Sequence, residues 1–288
     1  MLIYQFLRFF YPLKKTIFMK TFKYISRLVL VVLLSIILVF LVALVFRLLR
    51  VEKETKTIKS VHFDVIYNGI LQAEAKDIST ALEHNYERIR LDLADPEHRK
   101  ISVFIHPNQD EFNKATGLVN SKANGTSRGP LVFHLKYETW FNAIFPPEME
   151  KVAVHEFTHC VQLNLLIQDA LSRIKSADST DFDKNFEIKF AKDYPQWFWE
   201  ALCDYEAGMV NSASVKYGMK GKPTLKELNS SPQIYNVGYT IIAYFVSKYG
   251  KEKLPDFMKS YGNFEQTLGI TEKEFESGWY TFVNEKYP

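Results

Sequence analysis

Residues 152–162 read Val152-Ala153-Val154-His155-Glu156-Phe157-Thr158-His159-Cys160-Val161-Gln162, inside a helix predicted over 148–167 behind the start signal Pro146-Pro147. Two histidines four positions apart project from one helix face, so both imidazoles can reach a single ion. Neutral imidazole nitrogens suit Zn2+. Glu156 directly follows the first histidine, where its carboxylate can reach a water on such an ion and take its proton. A helix with two surface histidines would carry the same letters, so the rest of the chain has to decide.

A hydrolytic zinc site needs a third protein ligand and an open fourth position. The segment Gln196-Trp197-Phe198-Trp199-Glu200-Ala201-Leu202-Cys203-Asp204-Tyr205 offers Glu200 on a helix predicted over 195–208. A carboxylate in so aromatic a stretch is costly unless it is paired or bound to metal. Asp204 lies one turn further on, placed to accept a hydrogen bond from a ligand histidine. The alternative is that Glu200 and Asp204 form the polar edge of a helix whose aromatic residues pack inward.

These residues give the chain a family likeness. It resembles the gluzincin metallopeptidases, and more narrowly the peptidase MA-like proteins related to thermolysin-type and aminopeptidase N-type enzymes. The likeness rests on His155-Glu156-x-x-His159, on Trp197-x-x-Glu200-Ala201 and on Asp204. It implies zinc bound by His155, His159 and Glu200, Glu156 as general base, and Asp204 orienting a ligand histidine. Tyr235-Asn236-Val237-Gly238 is similar to the Tyr-x-Lys-Gly segment of aminopeptidase-type enzymes, which implies Tyr235 as the oxyanion donor. Tyr239 is the fallback, and a tyrosine anchoring the helix start is the structural alternative for Tyr235. In related folds an edge strand beside the motif helix pairs with extended substrate. The likeness gives that place to Leu131–Leu135, with His134 as a substrate contact or a structural histidine.

The chain departs from the family in three places. Glu200 follows His159 by 41 positions, longer than in the two enzyme types, so residues 165–194 are expected to insert between the ligand helices. Ala201 replaces the usual glycine. No Gly-x-Met-Glu-Asn segment precedes the motif, so the carboxylate that recognises a free amino terminus is missing. The likeness then favours an endopeptidase over an aminopeptidase.

Near the other end, Leu28 to Phe46 runs without a charge, with Ser35 its one polar side chain. That is about the length needed to cross a hydrocarbon core of roughly 30 Å. A soluble core helix should carry a polar stripe. A cleaved signal peptide should be followed by small residues, whereas Arg47-Leu48-Leu49-Arg50-Val51-Glu52 follows here. An uncleaved signal anchor is therefore expected. Basic residues flank both sides, and the acid-free 1–27 segment places the N-terminus in the cytoplasm and the catalytic part outside. Met19-Lys20-Thr21 would also make a normal start, leaving 1–18 as an upstream extension.

The chain carries 36 Lys and Arg against 33 Asp and Glu, a net +3 concentrated around the apolar run, so no footprint for nucleic acid is seen. Two cysteines, Cys160 and Cys203, are too few for a disulfide framework. They form one bridge or stay as two buried thiols, and neither spacing nor number speaks for metal ligation. His62, His84, His98 and His106 have no ligand-like spacing.

Residues 47–59 read as a juxtamembrane linker, and 60–288 as one metallopeptidase domain. Strands are predicted at 61–67, 101–105 and 131–135, with helices at 72–92 and 109–115 and a loop from Gly117 to Gly129. From Pro147 on only helices follow, including 235–249 and 271–285, the last opened by a Thr271/Glu274 capping box. A small sheet followed by helices is an α+β arrangement, here a mixed sheet and a zincin-like helical part behind one transmembrane helix. The expected partners are a peptide substrate and the membrane. A non-catalytic module of the same fold and a zinc hydrolase of a non-peptide bond are the rival readings.

Overall fold

The computed structural model describes residues 2–96, 98–139, 142, 148–173 and 182–287, with side chains from Tyr24 onward. The Pro146-Pro147 start signal lies outside the described residues. The chain divides into two compact units, Met1–Arg50 and Val51–Pro288.

The first unit is one helix, α1 (Leu2–Leu49). Its stretch Tyr24–Leu49 has mean hydropathy 3.6 with none of it buried, long and apolar enough to cross a membrane by length and composition.

The second unit is α+β. Its elements are β1 (Lys56–Lys59), β2 (Phe63–Tyr67), α2 (Gln72–Asp92), β3 (Ile101–His106), α3 (Gln109–Thr116), β4 (Gly125–Ser127) and β5 (Val132–Lys136). Helices follow: α4 (Met149–Ser172), α5 (Phe182–Asp193), α6 (Gln196–Glu206), α7 (Ser212–Gly218), α8 (Leu225–Leu228), α9 (Ile234–Tyr249), α10 (Leu254–Lys259), α11 (Phe264–Leu268) and α12 (Glu272–Lys286). The five strands form one mixed sheet in the order β1-β2-β3-β5-β4, with β2, β3 and β5 parallel and both edge strands antiparallel to their neighbours.

Strand alternation explains which face is covered. Phe63, Val65 and Tyr67, Ile101, Val103 and Ile105, and Phe133 and Leu135 are all buried, and their period of two puts them on one face. Against that face lie α2, through Ile78, Leu82, Tyr86 and Ile89, and α4. Phe157 joins the layers: its ring meets Phe63 edge-on at 5.2 Å and stacks on Tyr86 at 5.5 Å. Helix α4 is buried without a break from Ala153 to Gln162, so its two histidines face the protein interior and not a surface. The 271–285 helix begins with the full reciprocal Thr271/Glu274 capping box.

Three local expectations need correction. The 47–59 linker contains β1, whose Lys56–Lys59 pairs with Asp64–Tyr67. The 117–129 loop contains β4, and the edge position expected for Leu131–Leu135 belongs to β4, with β5 lying between β3 and β4. The 165–194 insertion is in part the continuation of α4 to Ser172 and in part the separate helix α5; residues 174–181 of it lie outside the described residues.

Candidate active site

Helices α4 and α6 bring the motif residues together. His155 Nε2 lies 3.3 Å from Glu200 Oε2, and His159 Nε2 lies 3.8 Å from the same oxygen. The opposite ring nitrogens are held from behind. His155 Nδ1 is 3.0 Å from Asp204 Oδ1, and His159 Nδ1 is 3.0 Å from Gln162 Oε1 and 3.0 Å from Cys203 Sγ. The two rings are nearly perpendicular, with centroids 4.8 Å apart, and Trp199 stacks on His159 at 4.3 Å. Ring orientation is thus fixed on the side facing away from Glu200, the arrangement in which outer groups orient metal-binding imidazoles.

Glu156 points into the same space from α4. Its Oε2 is buried with no hydrogen-bond partner, and the backbone N–H of Ser127 on β4 donates to its carboxylate. Room for that carboxylate exists because residue 125 is glycine: a Cβ there would come within 2.5 Å of Glu156 Oε1. Strand β4, Trp199, Tyr235, Met209 and the motif residues line one open cavity of about 730 Å³, in the range of ligand sites.

Electrostatics follow from packing four ionisable groups out of water. Burial pushes Glu156 up to about 7, helped by the nearby Glu200 charge and opposed by His155 and the Ser127 N–H. Burial works against a charged His155, but Asp204 and Glu200 outweigh it and raise the imidazole to about 10. His159 goes the other way, to about 4, through burial and the neighbouring His155 charge. Glu200 is buried too, yet both histidines hold it below the usual carboxylate range.

The donor set suits Zn2+: two imidazole nitrogens and one carboxylate oxygen converge, and a second carboxylate oxygen stands unpartnered beside them. Cys203 also belongs to the neighbourhood, its sulfur lying within 4.8 Å of donor atoms of both histidines. It meets His159 on Nδ1, however, the nitrogen turned away from Glu200. A ligand must be the thiolate, and burial together with Glu200, Glu156 and Asp204 pushes the Cys203 thiol well above its ordinary value. The geometry therefore puts Cys203 behind His159 rather than opposite Glu200. Both cysteines are free and buried.

Tyr235 is exposed at the cavity mouth with its phenol towards Glu200; partial loss of water around the phenol and that carboxylate raise its pKa. The fallback Tyr239 packs on Tyr205 at 5.3 Å and does not line the cavity. His134 does not line it either; it is paired with His106 at 2.9 Å and stacked on Phe104 at 5.1 Å, on the sheet face away from α4. Sequence reasoning missed β4, Gln162, Trp199 as a partner of His159, and the place of Cys203. The i, i+3 step from His159 to Gln162 was the one signal that could have found any of them.

No protein-family model matches the chain, and no curated protein matches it. Two crystal structures of an M1 zinc metallopeptidase from Deinococcus radiodurans, one of them a point mutant, are similar to it at 15% identity and a TM-score of 0.37. They match over 80% of this chain and over 52% and 51% of their own. The chain spans about half the length of those proteins.

Proposed function

We propose that the chain is a membrane-anchored zinc peptidase of zincin-like fold, acting as an endopeptidase, with α1 as its anchor and the second unit on the extracytoplasmic side. The observation that supports this most is the convergence of His155 and His159 on one oxygen of Glu200, beside the unpartnered buried oxygen of Glu156.

In this reading His155, His159 and Glu200 hold the ion, which supplies a lowered water pKa and a polarised scissile carbonyl. Glu156 takes the water's proton as the oxygen attacks the carbonyl carbon, then delivers that proton to the leaving amine. Buried on α4 with one oxygen unpartnered, the Glu156 carboxylate is placed for both halves of that task. Asp204, its Oδ1 3.0 Å from His155 Nδ1, holds that ring by its charge, and Gln162 Oε1 accepts from His159 Nδ1 to fix its tautomer. Tyr235 donates to the oxyanion from the cavity mouth. Among the described residues strand β4 pairs with β5 along one side only, so its other edge can receive an extended peptide as an added strand. That assigns the substrate strand to Gly125–Ser127.

The test is Glu156→Gln. Peptide turnover should vanish while zinc content stays at the level of the unsubstituted protein, and undiminished hydrolysis in that variant would sink the mechanism. The same peptide screen separates this reading from a hydrolase of non-peptide bonds.

A further inference from the structure

A second cavity opens beside the candidate active site. It measures about 690 Å³ and shares Thr126, Ser127 and Trp199 with the first. One wall is α5, which repeats an aromatic residue every fourth position at Phe182, Phe186 and Phe190, so three rings fall on one helix face. The floor is Leu163 and Ile167 on α4, both partly exposed.

The rings form a continuous ladder outward from the motif. Trp199 stacks on His159 at 4.3 Å and meets Phe190 at 5.0 Å; Phe190 follows Phe186 at 6.1 Å, and Phe186 follows Phe182 at 5.9 Å. Arg128, Asp183 and Glu187 stand exposed on the rim. Helix α5 thus stands beside α4 with an aromatic-walled trough between them, reached from the motif through Trp199.

We infer that this trough is the specificity subsite of the enzyme, and that it takes a bulky apolar side chain of an extended polypeptide bound along β4. The inference rests on the peptidase reading for its occupant. A peptide added to β4 turns alternate side chains to opposite sides of the strand. The shared residues Thr126 and Ser127 place one of those sides over the trough. Phe182, Phe186, Phe190, Leu163 and Ile167 offer aromatic and aliphatic carbon, and the charged lining residues Arg128, Asp183 and Glu187 are exposed, so a phenylalanine or leucine side chain gains by entering it and an alanine leaves it largely empty. The substrates are then proteins cut near such a residue.

The test uses the full-length Glu156→Gln protein in detergent micelles, with fluorescent, end-blocked alanine-rich peptides in which one phenylalanine is moved position by position. Phenylalanine at one position, or at two of the same parity, should tighten binding about tenfold or more over the all-alanine peptide. Ile167→Asp and Leu163→Asp should each erase that preference while leaving the all-alanine peptide bound within about twofold, since neither side chain touches β4-bound backbone. Both positions are partly exposed, and zinc content with a thermal melt checks that each variant is folded. No tightening at any position, or a preference that survives both substitutions, overturns the inference. Cleavage of the same peptides by the protein with Glu156 intact separates the two readings. Preference without cleavage leaves the trough and removes the peptidase; cleavage without preference does the reverse.

Discussion

Gly125→Ala should disable the site while leaving its metal in place. The residue lies on β4 outside the left-handed region of backbone space, so alanine is conformationally acceptable there and the effect is one of contact alone. A Cβ at this position would stand 2.5 Å from Glu156 Oε1, 2.6 Å from its Cγ and 2.8 Å from its Cδ. Non-bonded carbon contacts prefer about 3.5–4.0 Å, so the carboxylate or the strand must move by about 1 Å. Glu156 is enclosed on α4 and receives the Ser127 N–H, and either movement breaks that hydrogen bond. A misplacement of about 1 Å at a reacting group costs on the order of a hundredfold in rate, which is about 2.7 kcal/mol of transition-state stabilisation. The assay is kcat/KM on a cleaved peptide, beside zinc content and a melting curve. A hundredfold loss with zinc retained is expected. Full activity, or loss of zinc with activity in proportion, would refute the reasoning, because the three atoms nearest the added methyl all belong to Glu156.

Three further outcomes follow from the geometry. Asp204→Asn keeps the shape but removes the charge behind His155, and should weaken zinc binding about 10- to 100-fold in chelator competition; an unchanged Kd would mean Asp204 is only a helix-edge residue. Between its two carboxylates the metal-free His155 stays protonated up to a pH of about 10. Zinc needs the neutral ring, so binding near neutral pH should release about one proton and strengthen as pH rises; calorimetry in two buffers of different ionisation enthalpy reads this, and no buffer dependence would contradict it. Arg88→Ala strips the buried Glu206 of its guanidinium partner and of a 2.7 Å bond to its backbone oxygen. The loss should be about 1–2 kcal/mol by chemical denaturation, less than for a fully buried pair, since the Arg88 side chain is itself exposed and Lys251 remains 3.7 Å from Glu206; a change below about 0.5 kcal/mol would show the pair to be solvated.

Elements with many residues in one period were legible in the sequence. Helix 72–92 shows its buried stripe of Ile78, Leu82, Tyr86 and Ile89, and strand 101–105 alternates cleanly. Strands β1 and β4 were not legible. Lys56-Thr57-Ile58-Lys59 and Gly125-Thr126-Ser127 have no apolar alternation, and their pairing comes from backbone bonds to neighbours that are distant or locally ambiguous. That blind spot moved the edge of the sheet by one strand and with it the expected substrate position. At the site, helical spacing places His155 beside His159 and Asp204 one turn from Glu200, but it carries no information across the 41 positions between His159 and Glu200. Their approach to 3.8 Å is a property of how α6 crosses α4. Gly238 illustrates the same point: a Cβ there would stand 3.1 Å from Ala201 Cα and 3.1 Å from Asp204 Oδ2, so the small residues of two helices together set where Asp204 lies.

The most direct test of the zinc-centre account is metal content by elemental analysis after dialysis, in the full-length protein beside its Glu200→Ala variant. The account predicts about one zinc per chain in the first and loss of that zinc in a variant that still melts cooperatively. No zinc in the unsubstituted protein after reconstitution, or equal zinc in both, would contradict it.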